Sequence, residues 1–307
     1  MTNSMKRPYT GADDLQAIID FLVAVRPAAR ITDYPGVVDL RELLALSAVQ
    51  ANTCLWFNEH GQMIGFAFVD PYNNLLFEFD RQAAPGGIAS EMVAWGEECL
   101  RRIMQARGET FTLDASCRDD DHDRLAVLLE HGFVEEDVRS LHMVCSLAQP
   151  IPEPQLPPGF SLRHVAGEHE AAALAALHRA AFDTETMTVE ERLATMHLPE
   201  YEAELDLVVI APDGRFAAYC TCSISAEENA RTGRNEGYTD PVATHPAFQR
   251  QGLARALLLT GLRMLQQRGV ETAVLGTSSQ NIAMQHVAAS VGFQVQSTKL
   301  WFAKQVE

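Results

Sequence analysis

The 307-residue chain has no uninterrupted apolar run of the roughly 18 residues that a membrane-spanning helix needs. Nothing apolar follows the basic pair Lys6-Arg7, so the opening residues do not read as a secretory signal. Six cysteines (Cys54, Cys99, Cys117, Cys145, Cys220 and Cys222) never adopt CxxC spacing, and no His or Cys pair follows Cys220-Thr221-Cys222 at ligand spacing. A metal module and a disulfide scaffold are both disfavoured, and the expectation is a cytoplasmic protein with reduced cysteines and no metal. Basic residues are in deficit: 24 Lys and Arg against 41 Asp and Glu leave a charge of −17. A protein that coats nucleic acid needs Lys and Arg clustered toward phosphates, so nucleic acid is not the expected partner, and neither is a membrane.

What is present reads as a globular pair. An apolar content of 47% rules out wholesale disorder, and the length favours two domains over one core. Between Gln149 and Gly159 stand Pro150, Pro152, Pro154, Pro157 and Pro158. Such a stretch sits in neither a helix nor a central strand and predicts an extended, semi-rigid linker. It sets the expected division at 1–149, a linker 150–159, and 160–307.

The halves repeat one another. Each opens with an apolar-periodic helix (13–25; 168–182), then two strands around a Gly turn (54–57 and 63–69; 205–210 and 216–223). A long helix follows (88–106; 252–267), then a strand, then a helix ending in Gly-Phe (125–131; 282–291). A final strand is expected to close each half, 140–146 and 299–304. Gly132 and Gly292 lie 292 − 132 = 160 apart, and Gly61 and Gly214 lie 214 − 61 = 153 apart. The offsets predict a duplicated α/β unit, each copy a central mixed sheet flanked by helices. Charge is unequal: 1–159 carries 12 − 24 = −12 and 160–307 carries 12 − 17 = −5, so the second copy better suits an anionic ligand.

The chemistry concentrates in residues 235–258. A strand ends in a polar loop, and Gly252 opens a long amphipathic helix. First-turn amides have no partner inside a helix and, with its dipole, receive phosphate. Gly252 and the small Ala254 let a pyrophosphate approach the backbone, and Arg250 and Arg255 add charge. A P-loop would need a Lys after its second glycine, and a Rossmann fingerprint three glycines; neither is there.

Gln249, Gly252 and Ala254 instead match (Gln/Arg)-x-x-Gly-x-(Gly/Ala), and the segment resembles the pyrophosphate loop of the GCN5-related N-acetyltransferases (GNAT). A strand at 272–275 follows, then Asn281 at a helix start with Gly292-Phe293 eleven residues later, similar to the family's second signature. The likeness covers roughly 160–307, and the tandem arrangement resembles two-domain members of the mycothiol synthase type. The first copy lacks the motif: in 81–89 no Gln or Arg lies three before Gly87, so it is expected to be degenerate.

The resemblance implies acetyl-CoA as co-substrate. Its pantetheine would pair with Val242, Ala243 and Thr244, its pyrophosphate with Gln249, Arg250, Gln251, Gly252, Leu253, Ala254 and Arg255, and Asn281 would bond the coenzyme or cap its helix. Pro241 has no N–H, so the sheet ladder breaks there and a strand can splay. The implied reaction is direct attack by a small-molecule primary amine. At pH 7 an amine of pKa about 10.4 must lose a proton at a cost of about 4.6 kcal/mol, so a general base is useful. Asp240, Tyr238 and Glu236 are the candidates, sharing one face at period two, with Asp240 nearest the reacting centre. The family's usual thiol-protonating Tyr, seven after the Asn, is here Ala288, with His286 and Ser278 as nearby substitutes. Ala288 leaves two rivals: a non-catalytic acyl-CoA-binding sensor, and an acyltransferase with another donor or a non-amine acceptor. Monomer and homodimer both stay open.

Overall fold

The computed structural model describes residues 5–82, 87–185 and 187–307. Positions 83–86 of the N-terminal loop compared above lie outside the described residues. The chain divides into two compact units, one joining Met1–Arg139 to Lys299–Glu307, the other comprising Ser140–Thr298.

The first unit begins with β1 (Met5–Pro8) and α1 (Ala12–Val25). Ile18, Ile19, Phe21 and Leu22 recur at helical spacing and are buried, while Asp13 and Asp14 favour the positive end of the helix dipole. Asp14 also receives both terminal nitrogens of Arg7, at 2.7 and 2.6 Å. Two short helices, α2 (Val37–Ala45) and α3 (Ser47–Ala51), lead into strands β2 (Thr53–Phe57), β3 (Met63–Val69) and β4 (Leu75–Phe79). These strands form an antiparallel sheet in the order β1-β2-β3-β4. Helix α4 (Ile88–Arg107) packs Met92, Val93, Cys99 and Leu100 into the core and ends on left-handed Gly108. Strand β5 (Thr112–Arg118) and helix α5 (His122–Glu130) follow, with Asp121 capping α5 through the Arg124 N–H.

The Arg7 guanidinium holds the Asp14 carboxyl at about 2. An unfolded Asp titrates near 3.9, so this stabilisation is complete above that pH and disappears as pH falls through 2. The unfolding free energy of the first unit should therefore drop between about pH 4 and pH 2. Asp14→Asn should flatten that slope in denaturant melts; an unchanged slope would assign acid sensitivity to other carboxylates.

The ends of the two halves do not close as the repeat suggests. Strand β6 (Val134–Ser146) is divided between the units, and its residues Ser140–Ser146 pair within the second unit, antiparallel to Ser278–Thr272. The chain's last strand has residues Lys299–Gln305 in the first unit, paired antiparallel to Arg118–Thr112 of β5. Lys304 anchors it there, 2.5 Å from Glu97, and Phe302 is fully buried in that core. The final strands are exchanged. Alternation fixes which face a strand buries, and it carries no label for the partner.

The second unit contains β7 (Ser161–His164), α6 (Ala171–Phe182), α7 (Val189–Met196), β8 (Asp206–Ile210) and β9 (Phe216–Thr221). The charged segment Glu227–Arg234 reads from sequence as a hairpin loop, but residues Ala226–Thr232 form a helix, α8. Ser225 caps it and Glu227 pairs with Arg231 one turn on, signals that override its polarity. Then come β10 (Glu236–Tyr238), β11 (Val242–Thr244), α9 (Leu253–Gln267), β12 (Thr272–Ser278), α10 (Ile282–Ser290) and β13 (Gln294–Gln305). Antiparallel pairing runs in the order β11-β9-β8-β7, whereas β10 and β12 are parallel, so the unit's pairing is mixed. The proline-rich stretch is extended but not loose. Ile151 and Leu156 pack on the core, and Arg263 of α9 bonds Ile151 O at 3.2 Å and Glu153 at 2.7 Å.

Candidate active site

The site forms where two strands part. Strand β10 runs parallel to β12 through Tyr238 and Val274, and the Thr239 N–H reaches Val274 O at 2.9 Å. Pro241 then contributes no N–H, and β11 pairs with β9, Val242 opposite Cys220. On β12 the Gly276 N–H donates to the Asp240 carboxylate at 2.9 Å. A Cβ at Gly276 would come within 3.1 Å of that oxygen, so the close approach suits a glycine. One carboxylate thus replaces the ladder where the strands separate.

A cavity of about 310 Å³ opens beside them. Val242, Ala243 and Thr244 form one wall, and Gln249, Arg250 and Gly252 the turn below it. Leu253, Ala254 and Arg255 supply the first turn of α9, and Asn281 the start of α10. Of the coenzyme contacts expected from sequence, Gln251 is not on the lining and lies exposed in the turn. Gly252 has φ +81° and no side chain caps α9; its first internal bond is Ala256 N–H to Gly252 O at 3.0 Å. The amides ahead of Ala256 precede that bond and suit an anion. Arg250 also adopts positive φ (+62°). The lining carries Arg250 and Arg255 and no acid among the described residues, in a chain of charge −17.

His245 caps the turn that precedes the loop, its Nδ1 accepting the Ala247 N–H at 3.1 Å. Asn281 caps α10 through Oδ1, which accepts the Met284 N–H at 3.0 Å, so the capping alternative raised by the sequence is realised on the cavity wall. Sequence reasoning missed Phe182 at the end of α6, and Met284 and Val287 on α10. The α10 pair sits three and six residues past Asn281, a helical spacing that could have revealed it.

The three base candidates separate. Asp240 is half-buried at the fork, and Tyr238 is half-buried one pleat back. Glu236 is buried, 3.4 Å from Arg234, four residues or about 13 Å along the strand from Asp240. Ala288 is fully buried in the core, and His286 is exposed and off the lining. Asp206, at the start of β8, and Tyr201 join a buried network. Asp206 is fully buried, ion-paired to Arg192, with the Tyr201 hydroxyl at 2.8 Å and the Thr221 hydroxyl at 3.3 Å. Burial pushes its carboxyl up and Arg192 draws it back. Nearby, burial lowers His178 to about 4, so this ring is neutral near pH 7, 2.6 Å from the Tyr219 hydroxyl and against Phe182.

The Acetyltransferase (GNAT) family model matches residues 172–293, which span the cleft from α6 to the Gly-Phe pair. A mycothiol acetyltransferase of Nocardiopsis dassonvillei is 26% identical over 328 residues, covering 95% of this chain and 94% of that one. Residues 172–293 therefore carry a GNAT acetyltransferase domain. A mycothiol acetyltransferase of Saccharomonospora viridis is 28% identical over 190 residues, 60% of this chain and 62% of the relative, so that match spans less than two thirds of it. A tandem GNAT protein from the clavulanic acid biosynthesis pathway shares the fold with a TM-score of 0.71 at 17% identity, covering 99% of each chain. A GCN5-related N-acetyltransferase of Sphaerobacter thermophilus gives 0.70 at 20% identity, covering 99% of this chain and 96% of that one. The likeness runs nearly end to end, as the repeat in the sequence implies for a tandem GNAT fold.

Proposed function

We propose that this GNAT protein transfers an acetyl group from acetyl-CoA to a primary amine of a small molecule in the cytoplasm. The reaction belongs to a C-terminal domain, 160–307, with 1–149 a degenerate copy and 150–159 the linker. The observation that carries this is the cavity at the strand fork, with no acid among its described lining residues and floored by a left-handed glycine at a helix start. Acetyl-CoA, when bound, supplies a thioester carbonyl that the amine attacks. The α9 amides with Arg250 and Arg255 hold phosphate charge; Val242, Ala243 and Thr244 offer the backbone of β11 to the pantetheine amides.

Asp240 receives the amine proton, with Tyr238 as the second candidate and Glu236, already paired to Arg234, the third. No Tyr stands at the Ala288 position, so the sulfur leaves as the thiolate, which is feasible because Cys-like thiols have a pKa near 8.5.

Thiol release from acetyl-CoA across a panel of primary amines tests the reading. Asp240→Asn preserves an acceptor for Gly276 N–H and should lower kcat/KM for the amine by about 10²–10⁴-fold, with coenzyme affinity unchanged. Turnover equal to the parent's would move the base to another group. Tight coenzyme binding with no turnover on any amine would favour the sensor, which the buried Ala288 also suits.

A further inference from the structure

The first unit holds a larger cavity, about 690 Å³, at its own β4, β5 and α5. It stands at the repeat equivalent of the coenzyme cleft, since β5 and α5 begin 272 − 112 = 160 and 282 − 122 = 160 residues before β12 and α10. Its electrostatics differ from that cleft. Asp120, Asp121 and Asp123 crowd the start of α5, so a phosphate placed at that helix end would be repelled. The arginines of the lining are engaged by acids. Arg26 and Arg124 share Glu78, at 2.7 and 3.2 Å. Arg118 and Arg30 share Asp120, at 2.9 and 3.0 Å, and Arg81 reaches Asp121 at 3.4 Å.

Lys299 differs from them. Among the described residues no carboxylate lies within ion-pair distance of its Nζ, which sits 4.6 Å from the centre of the Tyr34 ring, on the cavity wall. The lining holds six strong cations and six carboxylates and is neutral overall, yet each arginine touches a carboxylate and this one ammonium does not; it is set beside an aromatic face and the apolar surface of Val25, Pro27 and Phe79. A ligand that gives this ammonium the partner it lacks carries a carboxylate there and an apolar or aromatic body.

We propose that the first unit binds a small organic monocarboxylate in this cavity, with the Lys299 ammonium as its anchor and the Tyr34 ring against its body. The site is independent of the acetyl-transfer cleft. Burial brings the Lys299 amine down to about 8, with Asp39 and Asp33 drawing it up and Arg26 and Arg124 pushing it down; His122 also lines the cavity. The charged amine is the form that binds, so affinity should fall about tenfold between pH 7 and pH 9.

The test uses the full-length protein and sodium benzoate and sodium hexanoate as probes, titrated by calorimetry at pH 7 and pH 9. Saturable binding is expected, weakened at least tenfold in Lys299→Met and only a few-fold in Lys299→Arg. Only three lysines exist, Lys6, Lys299 and Lys304, so mass spectrometry of reductive methylation gives a second readout on the unaltered chain. Benzoate should slow modification of Lys299 and leave Lys6 unaffected. The proposal is overturned if Lys299→Met binds as the parent does, if neither probe binds at millimolar concentration, if Lys299 is unprotected, or if acetyl-CoA displaces benzoate.

Discussion

Gly252→Glu should abolish acetyl-CoA binding while the protein stays folded. Gly252 has φ +81°, a left-handed conformation costing a residue with a Cβ roughly 1–2 kcal/mol. That loss is small beside typical domain stability, and a Cβ built there meets nothing within 4 Å, so the side chain enters open space at the cavity. What it does there is decisive. A carboxylate at the start of α9 satisfies the same amides and dipole that would hold pyrophosphate, and it neutralises Arg250 and Arg255. A weakening of 100-fold or more in calorimetry is expected, with circular dichroism unchanged and the melting midpoint lowered by only a few degrees. Gly252→Ala carries the backbone cost without the charge and should bind within about tenfold of the parent. Parent-like affinity in Gly252→Glu would remove this loop from the coenzyme site.

Phe302→Ala should unfold the first unit, although the residue lies near the chain's other end. Phe302 is fully buried beside Leu113, Ala115 and Cys117, opposite Ala115 in the ladder. Truncating a buried phenylalanine costs about 3–5 kcal/mol, a large fraction of the stability of a domain this size. Hydrogen exchange should show lost protection in β3, β5 and α4, with the amides of β9 and α9 retaining theirs. Loss confined to residues 140–298 would contradict the exchange of the final strands.

These two positions mark what the sequence disclosed and what it withheld. Gly252 was legible because its need is local: a glycine, a strand end before it and an amphipathic helix after it. Asn281 and its Gly-Phe partner were legible for the same reason. The partner of Phe302 was not, because β6 buries alternate residues (Leu141, Met143, Cys145) and β13 buries Phe302 alone, and neither pattern carries a label for the ladder it joins. Helices α2 and α3 went unseen because each spans only a few turns, where periodicity is weak. The tie from Asp240 to Gly276 joins residues 36 apart, and the ion pairs of the first cavity reach across 52 residues from Arg26 to Glu78 and 90 from Arg30 to Asp120. No spacing rule reaches that far, so the charge count gave −12 for 1–159 without showing that the lining acids there are paired with arginines.

The exchanged strand also sets an order of birth. A ribosome delivers the N-terminal half first, but β5 waits for residues 299–305, which follow the whole of the second unit. The second unit needs only Ser140–Thr298, one continuous stretch, and can close sooner. The second unit is therefore complete first, and the older part of the nascent chain stands unfinished until residues 299–305 emerge. A stop codon in place of Lys299 would leave residues 140–298 intact and deny the other unit its closing strand. A gene split between the two copies would hand each product the wrong strand.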